Sequence, residues 1–581
     1  MSSKVAKTTF NPIYMGEDID YKGDALVLET GSKGQIANKV LLDHHKQFEQ
    51  KCYKVCDGVY QSVGFGLCNA VMVEGKTGMI IIDTNDSIEA ANMDYNEFKK
   101  VCDKPVSAII YSHWHYVMGT RAYVPAGKEQ DIEIWAHQDH LPDVMDAFAD
   151  SMPSYFRRLY VNTGNFIERE GENGYCGGAL GPFYTSPYVE NPTQEYMAPN
   201  KVISNETVTK QVIDGVEFEF HPSFSESSDS IIIYIPEKKV AHSNHAWPVF
   251  ANLYTLRGEL FRHPLKWIHG IDVMREKGIE HLTGCHGVPI SGKERLDKVL
   301  TEYRDGIQFL YDRTIKGMNQ GKAPDEIIRD LKVPKHLVTG EITKEIYGEM
   351  EYYVKGIYRG FIGWFGNDAV ELHPVTKEFE AERIIEGFGG KDVVVKTAQE
   401  ALDRKEYSWA AQLATYVLKV DVENPEAKKV KAFAFYEMAH RTTATTTRYW
   451  YTTQANTLMG GFDPNTVRPR VPYQVAKVCP PQMFIKAFGV DLIPELCEDV
   501  NKVVIFDLTD IGVTCGLHIR YGVAEFLDQA VTGDVKVSMT HDTLCGIIAG
   551  EKSYTASIQN KDIMFAGDRD LAEKLGEMID F

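Results

Sequence analysis

Two apolar runs, MIIID at residues 79–83 and VSAIIYSH at 106–113, constrain this chain more than any other stretch. Neither alternates with polar residues, so each reads as a strand buried on both faces, and SIEAANMDYNEFKKVCD between them reads as a helix. Strand, helix, strand implies a parallel pair inside a layered α/β sandwich, whose ligands collect beyond the C-terminal ends of the strands. The second run delivers His113 to such an end, and the chain continues as WHYVMGT. Upstream, GVYQSVGFGLCNAVMVEGKTG (58–78) has β-rich alternation and a Gly-rich turn around Gly75. Downstream, TVTKQVIDGVEFEFHPSF (207–224), SIIIYIPEKKVAHS (230–243) and IEHLTGCHGVPISG (279–292) each read as a strand followed by a polar tip. Three more tips are therefore placed to converge on the edge that carries His113.

The character of the chain then changes twice. From about Lys293, ERLDKVLTEYRDGIQFLYDRTIKGMNQ and EMEYYVKGIYRGFIGWFG carry amphipathic helical spacing, and residues 396–443 form an alanine-rich helix pair of the kind that packs as hairpins. FDPNTVRPRVP (462–472) is a Pro-rich linker, and beyond it VVIFDLTDIGVTCGLHIRYGVAEFL (503–527) reads as α+β. At 581 residues, three or so domains of roughly 100 to 200 residues are expected. The segment from about 145 to 205 is rich in Gly, Pro, Tyr and Asn and too long for a simple connection, which marks it as a lid or binding loop.

Charge and cysteine usage narrow the function class. With 62 basic and 82 acidic residues the net charge is −20 without long single-sign runs, which argues against nucleic acid or anionic lipid as a partner. An anionic small molecule remains compatible, because a pocket can be locally positive. No signal-peptide pattern opens the sequence and no apolar run approaches the ~20 residues that span a bilayer, so a cytoplasmic protein is expected. The ten cysteines lack a disulfide rhythm and read as free thiols, and Cys52 and Cys56 have no second pair with which to form a zinc knot.

His113 and His115 can point at one metal from the end of a buried strand, and neutral imidazole suits zinc. A lone H-x-H is more often a pair of partly buried aromatic rings bonded to backbone. Here Glu226 precedes the run IIIYIP, His242 and His245 flank another tip, and His286 lies at a third. His137 and His140 fit a surface or structural role, and Asp83 a structural one.

GVYQSVGFGLCNAVMVEG with IIID, the S-H-x-H start at Ser112–His115, NLYTLRG (252–258), GWFGNDAVELHPV (363–375) and DRKEYSWAAQLATYVLKVDVENPEAK (403–428) together resemble the alkyl sulfatases of the metallo-β-lactamase fold, over nearly the whole chain. The resemblance implies an α/β fold. A metallo-β-lactamase αββα sandwich (1–292) is followed by an all-α dimerisation domain (293–450) and a small α+β domain like sterol carrier protein 2 (463–581). It implies a metal-dependent hydrolase cleaving an ester with a sulfate-like anionic head, acting as a homodimer. The family motif H-x-H-x-D-H departs here, since its aspartate and third histidine fall on Val117 and Met118. His113, His115 and Glu226 map onto one metal's ligands and His286 onto the family's late histidine, while the bridging carboxylate falls on or beside Asn244. One zinc per subunit rather than two is implied, with another divalent metal as the alternative. Arg257 maps onto the sulfate-recognising arginine, Asn252 supplies a further donor, and Arg262 enlarges the positive pocket. His245 or Asn244 takes the bridge's former place. Tyr116 either packs into the space of the second metal or donates a phenolic proton. The competing readings are a catalytically degenerate binding or scaffold dimer, and a pocket redeployed for lyase-like chemistry.

Overall fold

Apolar residues at alternate positions of two sheets meet face to face and build the centre of the molecule. The computed structural model describes residues 10–148, 150–182, 192–204, 206–530 and 532–579. Residues 183–191, within the expected binding loop, lie outside them. Two compact units are distinguished: Met1–Gln138 with Arg157–Pro192 and Asn200–Val467, and Asp139–Phe156 with Thr193–Pro199 and Arg468–Phe581.

In the first unit a two-stranded ribbon, β1 (Leu28–Thr30) and β2 (Ile36–Asn38), precedes a seven-stranded sheet. That sheet runs in chain order through β3 (Lys51–Cys56), β4 (Val59–Val63), β5 (Val71–Glu74), β6 (Met79–Ile82), β7 (Val106–Ile110), β8 (Glu133–His137) and β9 (Lys201–Ile203). Pairing is antiparallel up to β6 and parallel from β6 to β9, as the apolar runs flanking the helix Ile88–Lys99 require. The six-stranded sheet comprises β10 (Thr209–Ile213), β11 (Val216–Pro222), β12 (Ile231–Ile235), β13 (Val240–Ser243), β14 (His281–Gly284) and β15 (Ile290–Ser291). Side chains alternate across a strand. Accordingly Ile231, Ile233 and Ile235 meet Ile80, Ile82, Ala108 and Ile110 of the other sheet, while Ile232 and Tyr234 face a second core with Trp267 and Ile271 of the helix Pro264–Lys277. This is an αββα sandwich, the layering expected from the resemblance.

The helices Lys293–Asn319 and Met350–Ile362 share that second core with β12–β14, through Leu296, Leu300, Tyr303, Tyr353 and Ile357. Farther along, the helices from Lys391–Asp403 to Pro425–Arg441 pack through alanines at 398, 401, 410, 414, 427 and 434, whose small side chains let the hairpins approach closely. In the second unit a five-stranded sheet is formed by β16 (Asn501–Leu508), β17 (Val513–Arg520), β18 (Val523–Leu527), β19 (Val535–Met539) and β20 (Met564–Gly567), in the order β18-β17-β16-β19-β20. The helices His541–Ile548 and Arg569–Met578 pack on it through Leu544, Ile547, Leu571 and Leu575, giving the expected α+β arrangement. Among the described residues no helix is long and apolar enough to cross a membrane. All ten cysteines are free thiols. His137 and His140 are both buried, at 4% and 1% exposure, which leaves the structural reading and removes the surface one.

Two local features have measurable consequences. Gly119, in YVMGT, is pressed against the chain before the helix Ile88–Lys99: a Cβ built there meets Thr84 O at 2.0 Å and Ser87 O at 2.6 Å. Backbone cannot yield as a flexible side chain does, so Gly119→Ala is expected to destabilise by about 1–3 kcal/mol or more. A thermal midpoint equal to that of the parent protein would contradict this.

His45, at the end of the helix Lys39–His45, donates from Nδ1 to Leu41 O at 2.8 Å and accepts at Nε2 from the Ala179 N–H at 2.9 Å. Both ring nitrogens are thus used in the neutral form. Burial, followed by the nearby His44, lowers its pKa from 6.5 to about 3. Between those values the unfolded chain binds a proton that the folded chain refuses, so this group's stabilisation is complete above pH 6.5 and is lost as pH falls towards 3. Thermal melts of the parent and His45→Gln proteins across that window should show a shallower acid dependence in the variant; parallel curves would refute the assignment.

Candidate metal centre

The end of β7 is held by a single carboxylate. Asp83, just past β6 and in the left-handed region at φ 58°, accepts at Oδ1 from the Ser112 N–H (2.8 Å) and at Oδ2 from the Ser112 hydroxyl (2.7 Å). Ser112 Oγ in turn lies 2.9 Å from His113 Nδ1, so the other ring nitrogen, Nε2, is aimed away from the strand. A short 3₁₀ turn, Trp114–Tyr116, then swings His115 to the same side. Glu226 arrives from the loop between β11 and β12, which is pinned alongside because the Ile231 N–H donates to Ser112 O at 3.0 Å.

His113 Nε2 lies 3.0 Å and His115 Nδ1 3.5 Å from Glu226 Oε1. Ligand atoms of these three residues all fall within 4.8 Å of one another, although Glu226 lies 111 positions beyond His115 in sequence, and they are buried or nearly so. Two imidazoles and a carboxylate are a donor set suited to zinc with a position left open. His115 Nδ1 is buried without a hydrogen-bond partner, an orphaned acceptor of the kind a cation satisfies. The residues present therefore fit a divalent metal.

Each of the three is also gripped from behind. His113 is held through Ser112 by Asp83, as described. His115 Nε2 lies 3.0 Å from Glu259 Oε1, and Glu226 Oε2 accepts from Arg262 Nη2 at 3.2 Å. Carboxylates on the remote nitrogens of histidines fix ring orientation and raise ligand basicity. Burial by itself would raise the Glu226 carboxyl; the nearby His115, the bond with His113 and the Arg262 guanidinium hold it well below the usual carboxylate range. Glu259 behaves alike: burial opposes ionisation, but Arg257, Arg262 and His115 bring it to about 2.

The structure unites some of the expected residues and separates others. Arg257 donates from Nη2 to Glu259 Oε2 at 2.9 Å and from Nη1 to Tyr347 OH at 3.4 Å. Arg262 is 1% exposed, donates from Nη1 to Asn252 O at 2.9 Å and is ion-paired with both Glu259 and Glu226. With its amide oxygen turned to accept from Arg262 Nη1 (2.9 Å), the Asn252 side chain donates to Tyr254 O, also at 2.9 Å. The expected open anion pocket is thus a buried network in which both arginines share Glu259. That residue escaped the sequence reading; the signal was its spacing in LRGELFR, two residues after one arginine and three before the next.

His286 stands apart from the three-residue cluster. Its Nε2 meets Tyr116 OH at 2.9 Å, its Nδ1 meets Leu67 O at 3.0 Å, and burial lowers its pKa. Tyr116 is buried edge-on between the His113 and His286 rings, at centroid distances of 5.1 and 5.2 Å, and burial raises its phenol well above its ordinary value. Of the two residues expected at the missing bridge, Asn244 is the one beside Glu226: Nδ2 donates to Glu226 Oε1 at 2.7 Å, and Oδ1 accepts from Trp247 Nε1 at 3.0 Å. His245 is turned towards the helix Pro264–Lys277, so close that a Cβ on Gly270 would meet its Nε2 at 2.3 Å. Burial lowers it to about 4, and it takes no part in the cluster.

Comparison with known proteins supplies the context. The family model described as alkyl sulfatase dimerisation matches residues 323–461, and that described as alkyl sulfatase C-terminal matches 471–581. The chain is 30% identical over 514 residues to a linear primary-alkylsulfatase of a Pseudomonas strain, covering 86% of this chain and 96% of the relative. It is 28% identical over 550 residues to an (R)-specific secondary-alkylsulfatase of Pseudomonas sp., covering 90% and 80%. A stereoselective inverting sec-alkylsulfatase from Pseudomonas sp., Pisa1, has the same fold at a TM-score of 0.85 and 22% identity, covering 98% of this chain and 93% of that one.

Proposed function

The chain belongs to the alkyl sulfatase family and is a hydrolase of that type, and from this premise we propose that it cleaves alkyl sulfate esters at a mononuclear centre formed by His113, His115 and Glu226. The observation that carries this reading is the orphaned His115 Nδ1 in a cluster whose every member is oriented from behind by a carboxylate or guanidinium. A divalent cation, zinc by the nature of the donors, supplies Lewis-acid chemistry when bound, acidifying water and polarising an ester oxygen. The remaining work belongs to the chain. Arg257 and Arg262 offset the charges of Glu226 and Glu259, so that a bound cation leaves the site net positive and able to admit a sulfate head. Asn244 holds Glu226 and places an uncharged amide where the family has a bridging carboxylate, while Tyr116 occupies the space beside His286. One metal rather than two is the consequence. A non-catalytic scaffold is not favoured, since the His113–His115–Glu226 set is complete and the relatives are enzymes.

Pairing as a homodimer fits the dimerisation match and the exposed apolar side chains of Trp364, Val370, Leu372 and Val375 within it. The proposal is tested by metal analysis of protein purified without chelators, together with turnover of alkyl sulfates beside carboxylic and phosphate esters. Metal lost on His113→Ala and sulfate released from an alkyl sulfate are expected. Metal-free parent protein, or hydrolysis confined to the other esters, would overturn it.

A further inference from the structure

Behind His113, on the side away from Glu226, a second group of donors is enclosed, of which the hydrolytic site uses only Asp83, through Ser112. Cys68 comes from the loop between β4 and β5, Asp83 from the end of β6 and Cys285 from the tip after β14, and they are 1%, 0% and 1% exposed. Their ligand atoms all lie within 4.8 Å of one another. The loops are stitched together by backbone: the Asn69 N–H donates to Cys285 O at 2.7 Å, and Asn69 Nδ2 to Gly284 O at 3.0 Å.

A buried cysteine usually serves as a small apolar side chain. The surroundings of Cys285 are of a different kind. Its Sγ lies 3.3 Å from Asp83 Oδ2, 3.4 Å from Ser112 Oγ and 3.7 Å from His242 Nε2, and His242 Nε2 is itself 3.1 Å from Asp83 Oδ2. Bonds of about 2.0–2.3 Å to nitrogen, oxygen and sulfur put the edges of a zinc tetrahedron at roughly 3.3–3.8 Å. The three separations among Cys285, Asp83 and His242 are therefore those of a coordination shell to within a few tenths of an ångström, and Cys68 Sγ lies within 4.8 Å of the Asp83 and Cys285 ligand atoms. Two thiols, a carboxylate and an imidazole also make a closed set without an open position, the composition of a structural rather than a catalytic site.

The geometry points to a second, fully buried divalent cation of the zinc class, bound by Cys68, Asp83 and Cys285 with His242 placed to complete the shell. Binding would convert both thiols to thiolates and release their protons to solvent. Because Asp83 and Cys285 both reach Ser112, which orients His113, such an ion would stiffen the support of the catalytic centre.

This inference is independent of the reading of the first centre, and cobalt distinguishes the two. The full chain is loaded with Co(II) under reducing, oxygen-free conditions. Thiolate-to-cobalt charge-transfer absorption in the near ultraviolet is expected, which a site of two histidines and a glutamate cannot give. Cys68→Ser and Cys68→Ala should abolish the band and remove about one metal equivalent, as loss of one ligand from a four-ligand site implies. Glu226→Gln, which touches neither thiol, should keep the band while losing the other equivalent. Absence of the band in folded, metal-loaded parent protein overturns the proposal by itself, whatever the folding of the variants. So does a band that survives both Cys68 substitutions or disappears with Glu226→Gln.

Discussion

Glu226→Gln protein is expected to purify without the metal of the His113–His115–Glu226 centre and to hydrolyse alkyl sulfates at least about 100-fold more slowly than its parent. Disturbing a group that merely orients a ligand costs about 10–100-fold in affinity or activity, so removing the only anionic ligand sets a higher floor. The neutral amide would also leave Arg262 with one carboxylate in place of two. Metal content by elemental analysis and release of inorganic sulfate are the two readouts. Undiminished metal together with undiminished turnover would mean that the cation sits elsewhere.

Glu259→Gln is expected to act on the same centre from a distance and to weaken the fold as well. Glu259 is the shared counter-ion of Arg257 and Arg262 and the partner of His115 Nε2. Breaking a buried charge pair by neutralising one member typically costs about 3–5 kcal/mol, because the remaining charge is left without compensation. Arg262 keeps Glu226, whereas Arg257 loses its ion pair with Glu259. The same change releases the His115 ring, and metal affinity should drop by about 10–100-fold. A lowered thermal midpoint combined with weaker zinc binding in competition with a chelator checks both effects. Unchanged stability would show that Arg257 finds another anion, and unchanged affinity that His115 is held by packing alone.

Much of the sandwich was legible in the sequence because its strands are short and strongly patterned. MIII and VSAII carry no polar residue but one serine, and only a strand covered on both sides accommodates that. His113, His115 and Glu226 could be chosen because each ends or precedes such a run, and strand ends converge in a layered sheet. The position of the helix Lys293–Asn319 was less legible. Its amphipathic spacing is that of any helix with one buried face, and the surface receiving that face, β12–β14, is not written in its own sequence. His245 and Asn244 show the same limit at a single residue. They are neighbours in the chain and were equally eligible for the vacant bridge, but the close approach of Gly270 draws one ring aside and leaves the amide facing Glu226.

What the sequence determined by itself is therefore the alternation of strand and helix, the ends at which polar residues gather and the chemical types available there. These follow from local periodicity and backbone propensity, which each segment carries within itself. The tertiary structure alone decided which carboxylate answers which cation. Glu259 meets His115 across 144 positions and Asp83 meets His242 across 159. Hydrogen bonds and ion pairs act over a few ångströms of space and are blind to separation along the chain. The half-motif HWH becomes a metal centre only where the folded sheets bring Glu226 and its supporting charges to it.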